Sequence, residues 1–215
     1  MTGIYYKVLG EDGQCYYAGK GKWSLAQDGQ PGEWMPRIEG ELILCERGYH
    51  ILRAEHLVTW LGPCIHRVEA EDPILWDDDK GVTARARDLG RISAWNVRTA
   101  RLFAADCAEH VEHLYTLDTP WQPAQTIEVA RRYAEGLATQ DELAAAGAAA
   151  WAAAGDAAWA AAGDAARAAA WAAAGDAARA AAWAAAGDTA WAAAGAAEAR
   201  WQTERLLWYL EAPSE

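Results

Sequence analysis

The chain has no basic surplus, no long uncharged apolar run, no Cys-x-x-C and no phosphate-binding glycine loop. Each absence removes a class of function. The net charge is −12, divided as −7 over residues 1–128 and −5 over residues 129–215. Neither part offers the basic face that a phosphate backbone requires, so no nucleic-acid partner is expected, while a basic protein partner stays open. The acids are too dispersed to favour DNA mimicry. The longest uncharged run in the Ala-rich tract is Leu143–Gly155. Spanning a bilayer takes roughly 20 residues, and each central Asp or Arg costs about 3 kcal/mol, so no membrane segment is expected. No apolar targeting segment opens the chain, and Cys15, Cys45, Cys64 and Cys107 follow no regular spacing. Together these point to a reducing cytosol with buried thiols. With neither a phosphate loop nor a glutamate pair, no cofactor is expected.

What is there divides by composition. Residues 1–95 read as a small α+β domain with a mainly antiparallel sheet, 96–138 as a helical connector, 139–195 as a long Ala-rich helix and 196–215 as an amphipathic closing helix. In the first part, Ile4–Leu9 and Gln14–Ala18 flank Gly-Glu-Asp-Gly, a hairpin signal. Gly19–Gly40 reads as loop with Trp23 and Trp34 tucked against the core, and Glu41–Cys45 as a short strand. Arg53–Leu61 has helical spacing at Leu57, Trp60 and Leu61. Cys64–Ala70 and Gly81–Ala86 read as strands, with Asp77 to Lys80 an acidic turn before the second.

Cys45-Glu46-Arg47-Gly48-Tyr49-His50 is the one motif of this part with chemical potential. A histidine beside a turn can act as a base, a ligand or a recognition group, which makes His50 and Tyr49 the candidate catalytic residues. The favoured reading is structural: Gly48 supplies the turn while Tyr49 and His50 pack beneath it, since no nucleophile or carboxylate is paired with His50 by sequence. Leu44 to His50, Trp60, the Ile65–Ala70 run and the Asp79-Lys80 turn resemble a family of uncharacterised phage and actinobacterial proteins, over roughly residues 4–92. The family has Ala where this chain has Ile51. The resemblance implies a fold and no activity.

In Asn96–Tyr115 the apolar residues Phe103, Cys107, Val111 and Leu114 share one helical face. Asp106, His110 and His113 fall on the neighbouring stripe, a candidate metal or acid–base group for which a solvated polar face is the favoured reading. Pro120 and Pro123 introduce a second helix, Ala124–Leu137, packing Ile127, Ala130, Tyr133 and Leu137. Thr139 and Glu142 have the spacing of a capping box, which starts a third helix at Gln140. Arg101 to Glu109, Ile127 to Gly136 and Ala138 to Leu143 resemble an Ala-rich helical module labelled as an immunity protein in phages and actinobacteria, over roughly residues 97–210. His110 stands where that module usually has Arg.

From Gly147 to Gly195 every fourth residue departs from Ala, among them Trp151, Trp159, Arg167, Trp171, Arg179, Trp183 and Trp191. A twelve-residue unit repeats in tandem from Gly163 to Ala186. One continuous helix is expected, since Ala is the best helix former and each Gly costs only about 1 kcal/mol. The alternative breaks the tract into two-turn pieces at each Gly-Asp, which are marginal in water unless packed. In a continuous helix a four-residue step advances about 400°, so the Trp/Gly stripe winds around the axis instead of holding one face. Trp knobs and Gly hollows then suit contact with a second helix, and seven Trp from Trp151 to Trp208 need surfaces to rest on.

The expectation is therefore a non-enzymatic binding or inhibitory protein of phage or mobile-element type, with an immunity or anti-defence role exercised through stoichiometric protein contact. Two alternatives stand beside it. One is a nucleotide-handling or ADP-ribosyl-transferring enzyme, or a nucleotide sponge, with a cleft near Tyr49 and His50. The other is a structural component that forms homo-oligomers through the Trp/Gly helix.

Overall fold

The computed structural model describes residues 2–17, 19, 21–112, 123–161 and 188–211, with the backbone alone at 151–161 and 188–194. The fold is α+β. The chain divides into two compact units, Met1–Asn96 with Leu207–Glu215, and Val97–Leu206.

The first unit contains two three-stranded antiparallel sheets. One has the order β1-β3-β6, from β1 (Thr2–Leu9), β3 (Cys64–Glu71) and β6 (Ala86–Arg91). The other has the order β2-β5-β4, from β2 (Tyr49–Ile51), β5 (Gly81–Thr83) and β4 (Ile74–Trp76). Period-2 alternation in β1 and β3 places Leu9 and Val68 on one face, where they form a core with Trp23, Ile51, Ala70 and Ala86. The outer edge of β6 is covered by the loop before it. Gly32, Met35 and Ile38 donate their N–H groups to the carbonyls of Asp88, Ala86 and Ala84 at 2.8, 2.9 and 2.9 Å. A Cβ at residue 32 would stand 1.9 Å from the Ser24 carbonyl oxygen, so only glycine lets the loop pass this close.

Several expected elements take another form. The turn after β1 closes through Gly10 N–H to Gln14 O at 2.8 Å, but among the described residues the second run joins β1 only through the isolated bridge from Leu9 to Cys15. The ladder partner of β1 is β3, matched over eight residues from Thr2↔Glu71 to Leu9↔Cys64. Glu41–Cys45 is not a strand. Gly40 (φ 87°) and Cys45 (φ 66°) are both left-handed, which ends any ladder at either side and leaves a tight loop bridged from Ile43 to Arg47. Ala54–Trp60 is a 3₁₀ helix, and it buries Leu57 as its spacing required. The single strand expected over Gly81–Ala86 is split into β5 and β6, because Thr83 Oγ1 turns back to the Glu71 carbonyl (2.7 Å) and receives the Arg85 N–H (3.3 Å). The Asp77–Lys80 turn forms as expected, closed by Asp77 N–H to Lys80 O at 2.8 Å.

The second unit is helical: α1 (Val97–His110), α2 (Pro123–Ala134), α3 (Gln140–Ala161) and most of α4 (Asp188–Glu211). Phe103, Cys107 and Val111 are buried, as the helical face required. α2 stops three residues before the expected end. Gly136 (φ 73°) donates to Tyr133 O and Leu137 donates to Arg132 O, the paired bonds of a Schellman cap, which leaves Leu137 64% exposed. The capping box of α3 is present, with Thr139 N–H to Glu142 Oε2 at 2.7 Å and Glu142 N–H to Thr139 Oγ1 at 3.2 Å. α3 then continues unbroken through Gly147 and Gly155-Asp156. α4 likewise runs through Gly195, after which a separate helix was expected. Its buried stripe is Gln202, Leu206, Tyr209 and Leu210, spaced i, i+4, i+7 and i+8, while Trp208 is 55% exposed. The remainder of the Ala tract, 162–187, lies outside the described residues.

Candidate functional site

The turn that precedes β2 orients both candidate catalytic residues. Gly48 has φ 129°, and a Cβ there would lie 2.2 Å from Val82 Cγ2, so the turn onto β2 requires glycine. Tyr49 and His50 then alternate across the strand. Tyr49 turns to the core, its ring edge-on to Trp23 at 5.8 Å, and its hydroxyl donates to the Pro36 carbonyl at 2.7 Å. Burial pushes the phenol above its ordinary range, so Tyr49 remains a neutral donor. His50 accepts the Cys45 N–H on Nε2 at 3.0 Å, which places its own proton on Nδ1. Burial, and then the charges of Lys7 and Lys80, hold its pKa below the usual histidine range. His50 is thus a neutral imidazole whose basic nitrogen is bound to backbone. Its remaining chemical capacity is to donate from Nδ1.

The neighbouring cations are placed differently. Lys80 Nζ lies 3.0 Å from Asp79 Oδ1 and 4.9 Å from the centre of the Trp60 ring, and the Trp60 indole N–H donates to Asp79 O at 3.0 Å. The Asp79 hydrogen bond raises the Lys80 pKa. Lys7 projects from β1, 5.6 Å from the Trp23 ring. By sequence Lys80 stands out only as the end of the Asp77–Lys80 turn. The available signal for Lys7 was its inward parity between Tyr5 and Leu9.

A second buried polar pair lies in the first unit. His66 Nδ1 is 3.0 Å from Asp88 Oδ1, both side chains being almost fully buried, and Asp88 also accepts the N–H groups of Ala26 (2.8 Å) and Gly90 (3.1 Å). Burial would raise the Asp88 carboxyl, but the bonds from His66, Ala26 and Gly90 together with the His66 charge outweigh it and hold the pKa low. The pair fastens the loop at Ala26 to β6.

In the second unit, Asp106 does not belong to a solvated polar face. It is 5% exposed, and its two carboxylate oxygens accept from Arg131 of α2 at 2.5 Å and Arg205 of α4 at 2.6 Å. Arg131 also holds Glu109 at 2.6 Å. His110 takes separate partners, with Nε2 3.3 Å from Glu198 Oε2 and its ring stacked on Trp201 at 3.8 Å and 2°. His113 lies outside the described residues. Among the described residues no group of three or more His, Cys, Asp or Glu could hold a metal. Asp106 and His110 are instead helix-joining contacts.

Trp151 and Trp159 belong to α3 and Trp191 to α4, whereas Arg167, Trp171, Arg179 and Trp183 lie outside the described residues. Among the described residues no helix is long and apolar enough to cross a membrane. A hollow of about 510 Å³ opens along the loop of the first unit, lined by Trp23, Leu25, Lys22 and Glu33 among others. Neither His50 nor Tyr49 lines it. No protein-family model matches the chain, and no curated protein or solved structure matches it.

Proposed function

We propose that this is a binding protein that acts by stoichiometric protein contact through its Trp-bearing helical tract. The observation that carries the reading is the unbroken course of α3 across Gly147 and Gly155-Asp156. A continuous backbone places positions 151 and 159 eight residues apart, about 12 Å along the axis and about 80° around it. Such fixed spacing suits a partner helix that crosses the tract, and each buried indole would add a few kcal/mol. The commitment of the Tyr49 hydroxyl and of His50 Nε2 to backbone groups further favours binding over acid–base chemistry at that turn. The role proposed is that of a cytosolic immunity or anti-defence protein of phage or mobile-element type, on the strength of the resemblances in both halves of the chain.

Affinity purification from the native host, followed by mass spectrometry and light scattering of the recovered complex, tests the reading. The expected result is a complex of fixed stoichiometry that Trp151→Ala together with Trp159→Ala disrupts without loss of helicity. A monomer that recovers no protein, or a complex indifferent to both substitutions, overturns it. Concentration-dependent self-association with the same sensitivity would assign the tract to assembly of the chain with itself.

A further inference from the structure

Three aromatic side chains of the first unit meet at right angles on its surface. Tyr17 stands edge-on to Tyr16, with ring centres 5.1 Å apart and planes at 84°, and to Trp60, at 5.0 Å and 82°. Tyr16 is 53% and Tyr17 39% exposed, and Trp60 is half-buried. These rings are not core, since Trp23 and Trp95 of the same unit are almost fully buried. Each ring is held at its rim. The Tyr17 hydroxyl donates to the Leu61 carbonyl, and the Trp60 indole N–H donates to the Asp79 carbonyl at 3.0 Å. Tyr16 lies against Gly62, where a Cβ would come within 2.9 Å of its Cδ1. With the Tyr17 and Trp60 donors spent on backbone, the π faces remain for a ligand, and rings fixed in this way need little reordering to bind one.

Such a corner attracts cations, because the face of an aromatic ring is negative. The local charge has the same preference. Trp60 adjoins the acidic turn, where Asp77, Asp78 and Asp79 stand against the single ammonium of Lys80. Lys80 shows the preference within the chain, its Nζ 4.9 Å from the centre of the Trp60 ring and 3.0 Å from Asp79 Oδ1. That primary ammonium relies on a carboxylate to receive its N–H groups. The acceptors fixed beside the rings already have donors: Leu61 O has Tyr17, Asp79 O has Trp60 and Asp79 Oδ1 has Lys80. A second primary ammonium would give up hydrogen bonds to water with no replacement, whereas a quaternary ammonium has none to give up.

We propose that Tyr16, Tyr17 and Trp60 form a binding site for a small quaternary ammonium compound of the choline type. The trimethylammonium group rests in the corner of the rings, and no covalent bond is made or broken. The rings belong to the first unit and Trp151 and Trp159 to the second, so this site stands or falls separately from the helical tract.

The full-length protein is titrated with choline, with its neutral isostere 3,3-dimethylbutan-1-ol and with ethanolamine, each followed by the Trp60 indole N–H resonance in NMR. That resonance is assigned by its loss in Trp60→Phe. Choline is expected to bind several-fold tighter than either of the other two, since the alcohol lacks the charge and ethanolamine lacks the methyl groups. Tyr16→Leu, at an exposed position, should weaken choline binding several-fold. No shift with choline, an equal affinity for the alcohol or ethanolamine, or an unchanged affinity in Tyr16→Leu overturns the proposal. The comparison of the three compounds is made within the native protein, so it decides the matter even where a variant fails to fold.

Discussion

The Cys45 backbone N–H donates to Nε2 of His50 at 3.0 Å, so a loop with a left-handed cysteine at φ 66° is held by an unprotonated imidazole. His56 repeats the arrangement, its Nδ1 accepting the Arg53 N–H at 3.3 Å. Burial is the first cause that lowers both pKa values in the folded protein. The unfolded chain titrates near 6.5, so it binds more protons than the folded chain between that value and the lowered ones. Stability is therefore full above about pH 7. It declines as the pH falls below about 6.5 and levels off once the folded imidazoles are protonated. Urea unfolding at pH 8 and pH 5 should show the loss in the native chain and a smaller one in His50→Gln, whose amide oxygen can still accept from Cys45. An unchanged loss in that variant would count against the assignment.

Asp88 is expected to behave as a buried anchor. Asp88→Asn leaves His66 and the Ala26 N–H with a poorer acceptor, and breaking a buried pair of this kind costs about 3 kcal/mol. The change should also release the loop around Ala26, seen as faster amide exchange at residues 24–32. Destabilisation without faster exchange there would mean that the pair does not fasten the loop.

Asp106 joins three helices through Arg131 and Arg205. Both arginines remain partly exposed, so their loss of a partner is eased by water. Asp106→Ala should destabilise the helical unit by about 2 kcal/mol, below the range for a fully buried network. Circular dichroism at 222 nm during urea unfolding measures it, and an unaltered midpoint would remove Asp106 from its joining role.

Two substitutions in α3 should act with opposite sign. Thr139→Ala removes the cap and costs about 1 kcal/mol. Gly147→Ala meets nothing within 4 Å and adds about 1 kcal/mol of helix preference. Melting temperatures that move down and up respectively support a helix continuous through Gly147. A loss from Gly147→Ala would mean that the glycine is needed as a break.

The features legible in the amino-acid order are those governed by neighbours two to four residues apart. The Thr139–Glu142 box, the buried face of α1 at Phe103 and Cys107, the Asp77–Lys80 turn and the alternation of β3 each follow from local spacing. Tertiary structure decided the remainder. β1 pairs with a strand more than fifty residues away instead of with the run beyond its own turn, and Asp106 meets Arg205 across ninety-nine positions. Which strand β1 joins and whether Asp106 meets water or arginine depend on pairings between distant segments. The energy of such a pairing is realised only when the whole fold closes, so no window of sequence displays it.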